Sequence, residues 1–527
     1  MTVKTIMIQG TGSHVGKSVL AAALCRILKQ DGYSVAPFKS QNMALNSFVT
    51  PEGGEMGRAQ VVQAEAAGIE PHVDMNPILL KPTGNATSQV IVLGKPIGNL
   101  SAREYHEEWT KQAMDIIMAA WDRLTAKHDA IVIEGAGSPA EINLRDTEVV
   151  NMRVALATGT PVVLVGDIDK GGVLASLVGT LELLQPEERD MIAGFIINKF
   201  RGDVSLFQPA VEFLEEKTGK PVLGVIPYFQ GFKVQEEDGQ TDLVNQGRPG
   251  LERNMEKVEV AVIRLPKISN FTDFDALGDE ADVTLRYIGV DQKLGQPDLV
   301  IIPGSKNTIE DLLYLRQSGL AAEILELNRK GVPVIGICGG YQMLGRELRD
   351  PLKTESSIET MDGLGLLNAV TVFEEEKITC QVSADSRGVQ GFLARLCDGK
   401  SDWKPVNLAG QELIGYEIHM GRTELGEGTS TAFHINRRSG QPVDSPDGGV
   451  SETGLVLGTY MHGIFDNDTF RRNLINGLRV RRGLGPVQAG EGLSVAEQRE
   501  RDYDKLAQVV RDNLNMPLLR RIMGLEE

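Results

Sequence analysis

The chain has 527 residues, more than one hydrophobic core usually organises, so we expect at least two domains. Asp and Glu total 72 against 54 Lys and Arg, and the resulting net charge of -18 disfavours nucleic acid and anionic membranes as partners. The four cysteines show no paired spacing, and no apolar run resembles a signal peptide or a membrane span, so the composition predicts a soluble cytoplasmic protein without a disulfide framework or zinc site.

Short apolar runs alternate with longer amphipathic stretches along most of the chain, which is typical of parallel sheets with helical crossovers. The first series includes "KTIMIQG", "HDAIVIEGAG" and "TPVVLVGDID", and the second runs from "VEVAVIRLP" to "GLVLGTYMHGIFDN". Between them the sequence loses apolar periodicity and gathers Gly, Gln and charge. We therefore predict an α/β protein with two domains, each a mostly parallel sheet flanked by helices. The predicted boundaries are a first domain at 1–232, a linker at 233–257, a second domain at 258–470 and a helical extension at 471–527.

A glycine-rich turn follows the first predicted strand in "IMIQGTGSHVGKSVLAAALCRILKQDG". Such a turn directs backbone N–H groups and a helix N-terminus at a phosphate. Gly10, Thr11 and Gly16 belong to the loop, Lys17 would bridge the outer phosphates of ATP, and Ser18 would reach Mg²⁺. Five residues separate the two glycines, one more than in the standard phosphate-binding loop. A plain turn with a solvated lysine is the alternative, which the order of strand, turn and helix disfavours.

Three further polar residues follow or end predicted strands of the first series. Glu134 ends "AIVIE", where a carboxylate would hold Mg²⁺, and Lys39 follows "VAPF", where it would neutralise charge during phosphoryl transfer. Asn198, in "IINKFRGD", would read the edge of the nucleotide base. Each has a structural alternative, namely a strand-end acid, an exposed lysine and a turn-forming asparagine.

One cysteine lies between a predicted strand and a predicted helix in "VPVIGICGGYQMLG". The glycines around Cys338 permit the tight turn that lifts a nucleophile out of a sheet, and the helix N-terminus favours the attacking thiolate. His462, after a later strand, is the predicted base. The backbone N–H groups of Gly304, Ser305 and Gly339 would form an oxyanion hole. Although a buried cysteine is usually inert, this combination favours a nucleophile.

Both halves resemble known enzyme families. The long phosphate loop resembles that of dethiobiotin synthetase and its amidating relatives, which activate a carboxylate with ATP. Partitioning ATPases of the ParA/MinD group have a lysine at the second loop position, where this chain has Thr11. The second half resembles the class I glutamine amidotransferases, in which the cysteine attacks the glutamine amide, forms a glutamyl thioester and releases ammonia.

This resemblance leaves the third member of the glutaminase triad open. Many class I members carry His-x-Glu, whereas the residue two positions after His462 is Ile464. Asp466 is one candidate for the third role, and a Cys-His dyad is equally allowed. His419, in "GYEIHMGRTE", is a rival base that ranks second, because a strand histidine is more often structural.

An ATP-dependent carboxylate activator joined to an ammonia source implies amide synthesis through an acyl phosphate. The stretches "KSQNMALNS", "GDIDKGGV", "INKFRGD", "NFTDFDAL" and "GICGGYQMLG" together resemble the adenosylcobyric acid synthase family over nearly the whole chain. The resemblance implies amidation of adenosylcobyrinic acid a,c-diamide, an adenosylated corrinoid, at its b, d, e and g carboxylates with glutamine, ATP and Mg²⁺. Segment 41–90, rich in Asn, Gln and Gly, would form a wall for such a large amide-bearing ligand, and Asp167 and Asp169 would help to position the ligand or the metal.

Three alternatives remain at this point. They are cobyrinic acid a,c-diamide synthase, another ATP-dependent amidoligase, and an inactive nucleotide-gated regulatory protein. The stretches "QNMALNS" and "NFTDFDAL" favour the adenosylcobyric acid synthase family over the diamide synthase. The intact Cys338 and His462 count against the regulatory protein. The sequence predicts neither the oligomeric state, nor the order of the amidations, nor the ammonia path.

Overall fold

The computed structural model of the chain divides into two compact units. The first comprises Met1–Ala44, Gly54–Asp238 and Ala496–Glu527, and the second comprises Leu45–Gly53 and Gly239–Val495. The predicted linker at 233–257 lies outside the described residues except for its last four positions. The structure describes residues 3–84, 87–101, 104–105, 109–229, 254–290, 292–386, 388–397, 403–408, 410–487 and 494–525.

Strands and helices alternate through both units. The strands are β1 Lys4–Gly10, β2 Val35–Phe38, β3 Gln41–Met43, β4 Ser47–Val49, β5 Glu55–Gly57, β6 Ile78–Gly84, β7 Thr87–Val92, β8 Lys95–Ser101, β9 Ala130–Glu134, β10 Val162–Asp167, β11 Ile192–Phe200, β12 Val222–Pro227, β13 Val258–Ile263, β14 Val283–Ile288, β15 Leu299–Ile302, β16 Val334–Ile337, β17 Glu347–Arg349, β18 Thr360–Asp362, β19 Ala369–Asp385, β20 Glu412–Leu425, β21 Thr429–Ser430, β22 Phe433–Arg438, β23 Gln441–Asp447, β24 Gly449–Ser451 and β25 Val456–Thr459. The α-helices are α1 Lys17–Gln30, α2 Arg58–Ala67, α3 Thr110–Thr125, α4 Met152–Thr158, α5 Val173–Leu183, α6 Pro186–Met191, α7 Gln208–Thr218, α8 Asp275–Gly278, α9 Thr308–Gln317, α10 Leu320–Arg329, α11 Gly339–Leu344, α12 Gln390–Cys397, α13 Asp468–Arg481, α14 Val495–Asn513 and α15 Met516–Met523. The 3-10 helices are Val73–Met75, Ile142–Leu144, Val204–Phe207, Phe271–Phe274 and Ile464–Asp466.

The first unit is built on a six-stranded sheet in the order β12-β11-β10-β1-β9-β2, in which every pairing is parallel. Its strands are apolar and buried, as expected of a sheet covered on both faces. The carboxyl ends of these strands therefore lie at one edge, where ligands bind in open α/β sheets. A smaller sheet, β3-β6-β7-β8, is mixed.

The C-terminal helices α14 and α15 contribute to the hydrophobic core of the first unit. Tyr503, Leu506 and Val510 share one buried cluster with the apolar side of α1. Arg26 on α1 also pairs with Asp504 at 2.7 Å and with Glu500 at 2.8 Å. The tail therefore completes the fold of the unit that begins the chain.

The second unit contains a seven-stranded sheet in the order β14-β13-β15-β16-β25-β24-β21. Its first five strands pair in parallel, and β24 and β21 add antiparallel pairings. A second sheet, β18-β17-β19-β22-β23, also carries β20 against β19. The predicted fold class, two mostly parallel sheets flanked by helices, is confirmed. Among the described residues, no helix is both long and apolar enough to cross a bilayer.

Candidate active sites

The phosphate-binding loop of the first unit lies between β1 and α1, as predicted. A side chain at either Gly10 or Gly16 would clash with its neighbours. A Cβ at Gly10 would lie 2.4 Å from Val15 Cγ2, and one at Gly16 would lie 2.1 Å from Asn198 Nδ2. Gly16 also has a φ of +100°, which side chains other than glycine rarely adopt. The 14-residue helix α1 follows with no acidic residue in its first turn, so its N-terminus is free to attract an anion.

Lys17 is buried at the start of α1 with its ammonium group inside the loop. Its Nζ donates hydrogen bonds to the carbonyl oxygens of Gly12, at 2.8 Å, and Gly137, at 3.2 Å. Thr11 donates its backbone N–H to Val165 O at 3.0 Å, which fixes the loop against β10. These contacts hold a cation where the outer phosphates of a nucleotide would lie.

Glu134, at the end of β9, is a buried carboxylate that the structure joins to Ser18 and Lys39. Its Oε1 accepts hydrogen bonds from Ser18 Oγ at 2.7 Å and from Lys39 Nζ at 3.0 Å. Its Oε2 accepts from Gln60 at 3.2 Å and from Gln63 at 2.5 Å. Burial raises the pKa of Glu134, but Lys39, Ser18 and Gln63 outweigh that effect, so the pKa is lowered and the carboxylate is ionised.

The donor atoms around Glu134 bear on the predicted Mg²⁺ site. The described residues contain no group of three or more His, Cys, Asp or Glu able to hold a metal ion. Ser18 and Glu134 instead offer a hydroxyl and an ionised carboxylate 2.7 Å apart, the oxygen ligands that Mg²⁺ accepts when phosphate and water complete its shell. The residues therefore fit a nucleotide-bound Mg²⁺.

Asn198 contacts the back of the phosphate-binding loop. Its Nδ2 donates to Val15 O at 2.8 Å, while its buried Oδ1 has no hydrogen-bond partner among the described residues. Next to it, Lys199 donates to His14 O at 2.6 Å and pairs with Asp167 at 3.2 Å. Asn198 thus orders the loop with one side-chain atom and leaves an acceptor for the predicted contact to a base.

Cys338 occupies a sharp turn between β16 and α11 in the second unit. Its φ of 52° and ψ of −110° are strained for a residue with a Cβ, as in a nucleophile elbow. The glycines allow this turn to pack closely, because a Cβ at Gly340 would lie 2.0 Å from Ile302 O and one at Gly336 would lie 2.6 Å from Gly340 O. The Cys338 thiol donates a hydrogen bond to Ile418 O at 3.4 Å.

His462 is buried beside Cys338 and is held by a carboxylate that sequence reasoning missed. Its Nδ1 lies 2.7 Å from Asp273 Oδ2, and the backbone N–H of Gly463 donates to Asp273 Oδ1 at 3.1 Å. Burial would lower the pKa of His462, but the charges and hydrogen bonds of Asp273 and Cys338 raise it to about 10. The carboxylate bonded to the histidine is therefore Asp273, not the predicted candidate Asp466.

The rival base His419 lies on β20 in a different setting. Its ring stacks on Tyr460 with centroids 3.7 Å apart, and its Nδ1 is 3.1 Å from Gly421 O. The hydrogen bond from Cys338 goes to the backbone of the preceding residue, Ile418. His419 Nε2 lies 3.9 Å from Glu417 Oε1, whereas His462 Nδ1 lies 2.7 Å from Asp273 Oδ2, so His462 has the closer carboxylate.

The three predicted oxyanion residues lie together beside the elbow. A Cβ at Gly339 would lie 3.0 Å from Ser305 N, and one at Gly304 would lie 3.1 Å from His462 Cε1. The elbow helix is tied to this loop by Gln342, whose Oε1 accepts from Thr308 Oγ1 at 3.0 Å. A carbonyl attacked at Cys338 would thus develop its charge next to backbone N–H groups.

Comparison with known proteins identifies the family. Residues 6–242 match the CobQ/CobB/MinD/ParA nucleotide binding domain, and residues 259–470 match the CobB/CobQ-like glutamine amidotransferase domain. The chain is 54% identical over 530 residues to a cobyric acid synthase of Pelotomaculum thermopropionicum, covering 99% of this chain and 97% of that protein. It is 56% identical over 523 residues to one of Moorella thermoacetica, covering 99% and 98%. The chain belongs to the cobyric acid synthase family.

This membership confirms the predicted class of enzyme. The chain is a glutamine-dependent amidoligase with a nucleotide-binding domain, and its family supports an amidation in cobalamin synthesis. Because the similarity extends over 99% of the chain, both halves are covered by it.

Proposed function

We propose that this chain uses ATP and glutamine to amidate the b, d, e and g carboxylates of adenosylcobyrinic acid a,c-diamide, giving adenosylcobyric acid. The observation that carries the proposal is the presence, in one cobyric acid synthase homologue, of a cysteine–histidine–carboxylate site and a phosphate-binding site with a buried ionised carboxylate. The first supplies ammonia, and the second activates a carboxylate.

In the glutaminase half, the Cys338 thiolate attacks the side-chain carbonyl carbon of glutamine. The carbonyl oxygen takes up negative charge beside Gly304, Ser305 and Gly339, and His462 gives its proton to the departing amine. Ammonia leaves, a glutamyl thioester remains, and water hydrolyses it to glutamate. Asp273 keeps the imidazolium oriented and stabilises its charge through the 2.7 Å contact at Nδ1.

In the synthetase half, a corrinoid carboxylate oxygen attacks the γ-phosphorus of ATP, and ADP departs. The resulting acyl phosphate is attacked by ammonia, phosphate leaves, and the nitrogen loses a proton to give the amide. Lys17 and the loop N–H groups bind the phosphates, and Lys39 stabilises charge on the transferred group. Mg²⁺, held by Ser18 and Glu134, would neutralise part of the phosphate charge.

The experiment is incubation of the purified protein with ATP, Mg²⁺, glutamine and adenosylcobyrinic acid a,c-diamide, followed by mass spectrometry of the corrinoid. We expect successive exchange of hydroxyl for amino groups until the b, d, e and g positions are all amidated. Omission of ATP is the control and should leave the corrinoid unchanged. An unchanged corrinoid despite active glutamine hydrolysis would refute the substrate, and cobyrinic acid would be the next acceptor to test.

A further inference from the structure

Residues 45–53, the inserted segment, belong to the second unit although the chain on both sides of them belongs to the first. The segment contains β4 and fills part of a small hydrophobic cluster, in which Phe48 and Val49 pack with Tyr416 and Ile418 of β20. Gln381 on β19 also donates to Val49 O at 3.1 Å. The inserted segment is therefore packed into the second unit.

The inserted segment is bonded to the loop that carries Asp273. Phe271 donates its backbone N–H to Asn46 Oδ1 at 3.1 Å, and Ser47 donates its own to Asn270 Oδ1 at 3.1 Å. Asn46 and Asn270 are both buried, and Asn270 has a φ of 52°. Asp273 follows within the 3-10 helix that starts at Phe271, so its position depends on these two hydrogen bonds.

The segment also contacts the residue that stacks on the catalytic histidine. The rings of Phe48 and Tyr416 lie 5.0 Å apart, and Tyr416 OH is 3.5 Å from Ser47 O. Tyr416 in turn stacks on His462, with the ring centroids 5.2 Å apart. Tyr416 and His462 also exchange two backbone hydrogen bonds, at 2.9 and 3.2 Å. The inserted segment thus supports both members of the Asp273–His462 pair.

The peptide that enters the segment comes directly from the nucleotide site of the first unit. Lys39 bonds to Glu134, and Asn42 donates to Gln60 Oε1 at 2.8 Å, while Gln60 donates to Glu134 at 3.2 Å. Asn46 is only four residues beyond Asn42 in the sequence. The inserted segment is therefore joined to this hydrogen-bonded group by a few residues of chain.

We propose that the inserted segment positions Asp273 and His462 for glutamine hydrolysis. Asn46 is a positioning residue in this scheme, because it acts on the histidine through Phe271 and Asp273 and not on glutamine itself. The proposal rests on the glutaminase part of the proposed function and not on the identity of the corrinoid.

The test compares Asn46→Ala with Asn46→Asp, which retains the acceptor for Phe271 N–H. The Asn46 Nδ2 has no hydrogen-bond partner among the described residues, so the aspartate variant loses no bond. Glu52→Gln, at an exposed position of the same segment, is the matched control. Glutamate release is measured over a range of glutamine concentrations and pH, with and without ATP, Mg²⁺ and adenosylcobyrinic acid a,c-diamide.

For Asn46→Ala we expect kcat for glutamine hydrolysis to fall roughly tenfold with little change in KM, since one positioning hydrogen bond is lost and the glutamine site is intact. The alkaline limb of the pH profile should move to lower pH, because Asp273 is the anion that raises the pKa of His462 most. Asn46→Asp should recover most of the rate, and Glu52→Gln should behave as wild type. Synthesis from ammonium salt should persist in all variants.

An Asn46→Ala enzyme with unchanged kcat and pH profile would overturn the proposal. So would equal losses in Asn46→Ala and Asn46→Asp, because the acceptor would then be irrelevant. If wild type amidates no corrinoid from either nitrogen source, the proposed function fails, yet the pH profile measured without ATP still decides whether Asn46 positions the histidine.

Discussion

Replacement of Asp273 by asparagine tests the carboxylate that the structure places on His462. The variant keeps the shape of the side chain and removes only its charge. Gly463 N–H donates to Asp273 Oδ1 at 3.1 Å, so the amide oxygen of an asparagine would take that place and its NH₂ group would face His462 Nδ1. The ring nitrogen would then have to accept a hydrogen bond, which puts the proton of the neutral imidazole on Nε2.

The expected loss of glutaminase activity in Asp273→Asn follows from this change of imidazole tautomer and from the removal of the carboxylate charge. A neutral imidazole protonated on Nε2 cannot take the thiol proton, and the anion that raises the pKa of His462 most is gone. Changes of this kind lower kcat by roughly 10³- to 10⁴-fold. The active form carries imidazolium, so a lower pKa also means that the alkaline limb of the residual activity begins at lower pH than in wild type.

The assay is glutamate release at saturating glutamine, with amide synthesis from ammonium salt measured in parallel. Asp273→Asn should lose the first activity and keep the second, because Asp273 belongs to the second unit and its carboxylate is bonded to His462 and Gly463 of that unit. Asp466→Asn is the matched control and should retain wild-type glutaminase activity within about twofold. Glutaminase activity in Asp273→Asn within threefold of wild type, or an equal loss in Asp466→Asn, would refute the reasoning.

Three further substitutions separate the two half-reactions. Cys338→Ala should abolish glutamine-dependent amidation and keep ammonium-dependent synthesis, and loss of both would contradict separable sites. Lys17→Ala should remove synthesis with either nitrogen source while glutamine hydrolysis without ATP persists; undiminished ammonium-dependent turnover would refute the phosphate-site assignment. Gly16→Ala should weaken ATP binding at least tenfold, since its Cβ would lie 2.1 Å from Asn198 Nδ2 at a φ of +100°. Calorimetric titration with ATP measures the affinity. A wild-type affinity would contradict the prediction, because the loop would then accommodate the added methyl group.

The parts of the site that the sequence predicts are those encoded locally. An apolar run that ends in a glycine-rich turn before a helix specifies both the phosphate-binding loop and the Cys338 elbow within about 25 residues each. Glu134 and Lys39 are predictable for a related reason, because the carboxyl ends of parallel strands meet at one edge of a sheet. The structure brings Lys39 and Ser18 within hydrogen-bond distance of Glu134.

The parts that sequence reasoning missed depend on long-range packing. Asp273 is separated from His462 by 189 residues, and no local pattern links a 3-10 helix near the start of the unit to a turn near its end. Gln60 and Gln63 are three residues apart, which places them on one face of α2, but nothing local indicates that this face meets Glu134. The inserted segment is a similar case, since its sequence gives no sign that nine residues of the first series pack with the second unit.

A contribution to the free energy of folding does not explain two of the buried ion pairs. The side chains of Lys39 and Glu134 are 7% and 1% exposed, and those of His462 and Asp273 are 1% and 4% exposed. Because desolvation offsets most of the attraction, replacing such a pair with well-packed apolar residues is often neutral or stabilising. Each pair instead holds a cation in a fixed place beside a negative charge of the proposed reaction, on the transferred phosphoryl group at Lys39 and on the attacking thiolate at His462. A cation already oriented and desolvated before the substrate arrives needs no reorganisation during the reaction, and this is the condition under which it lowers the barrier most.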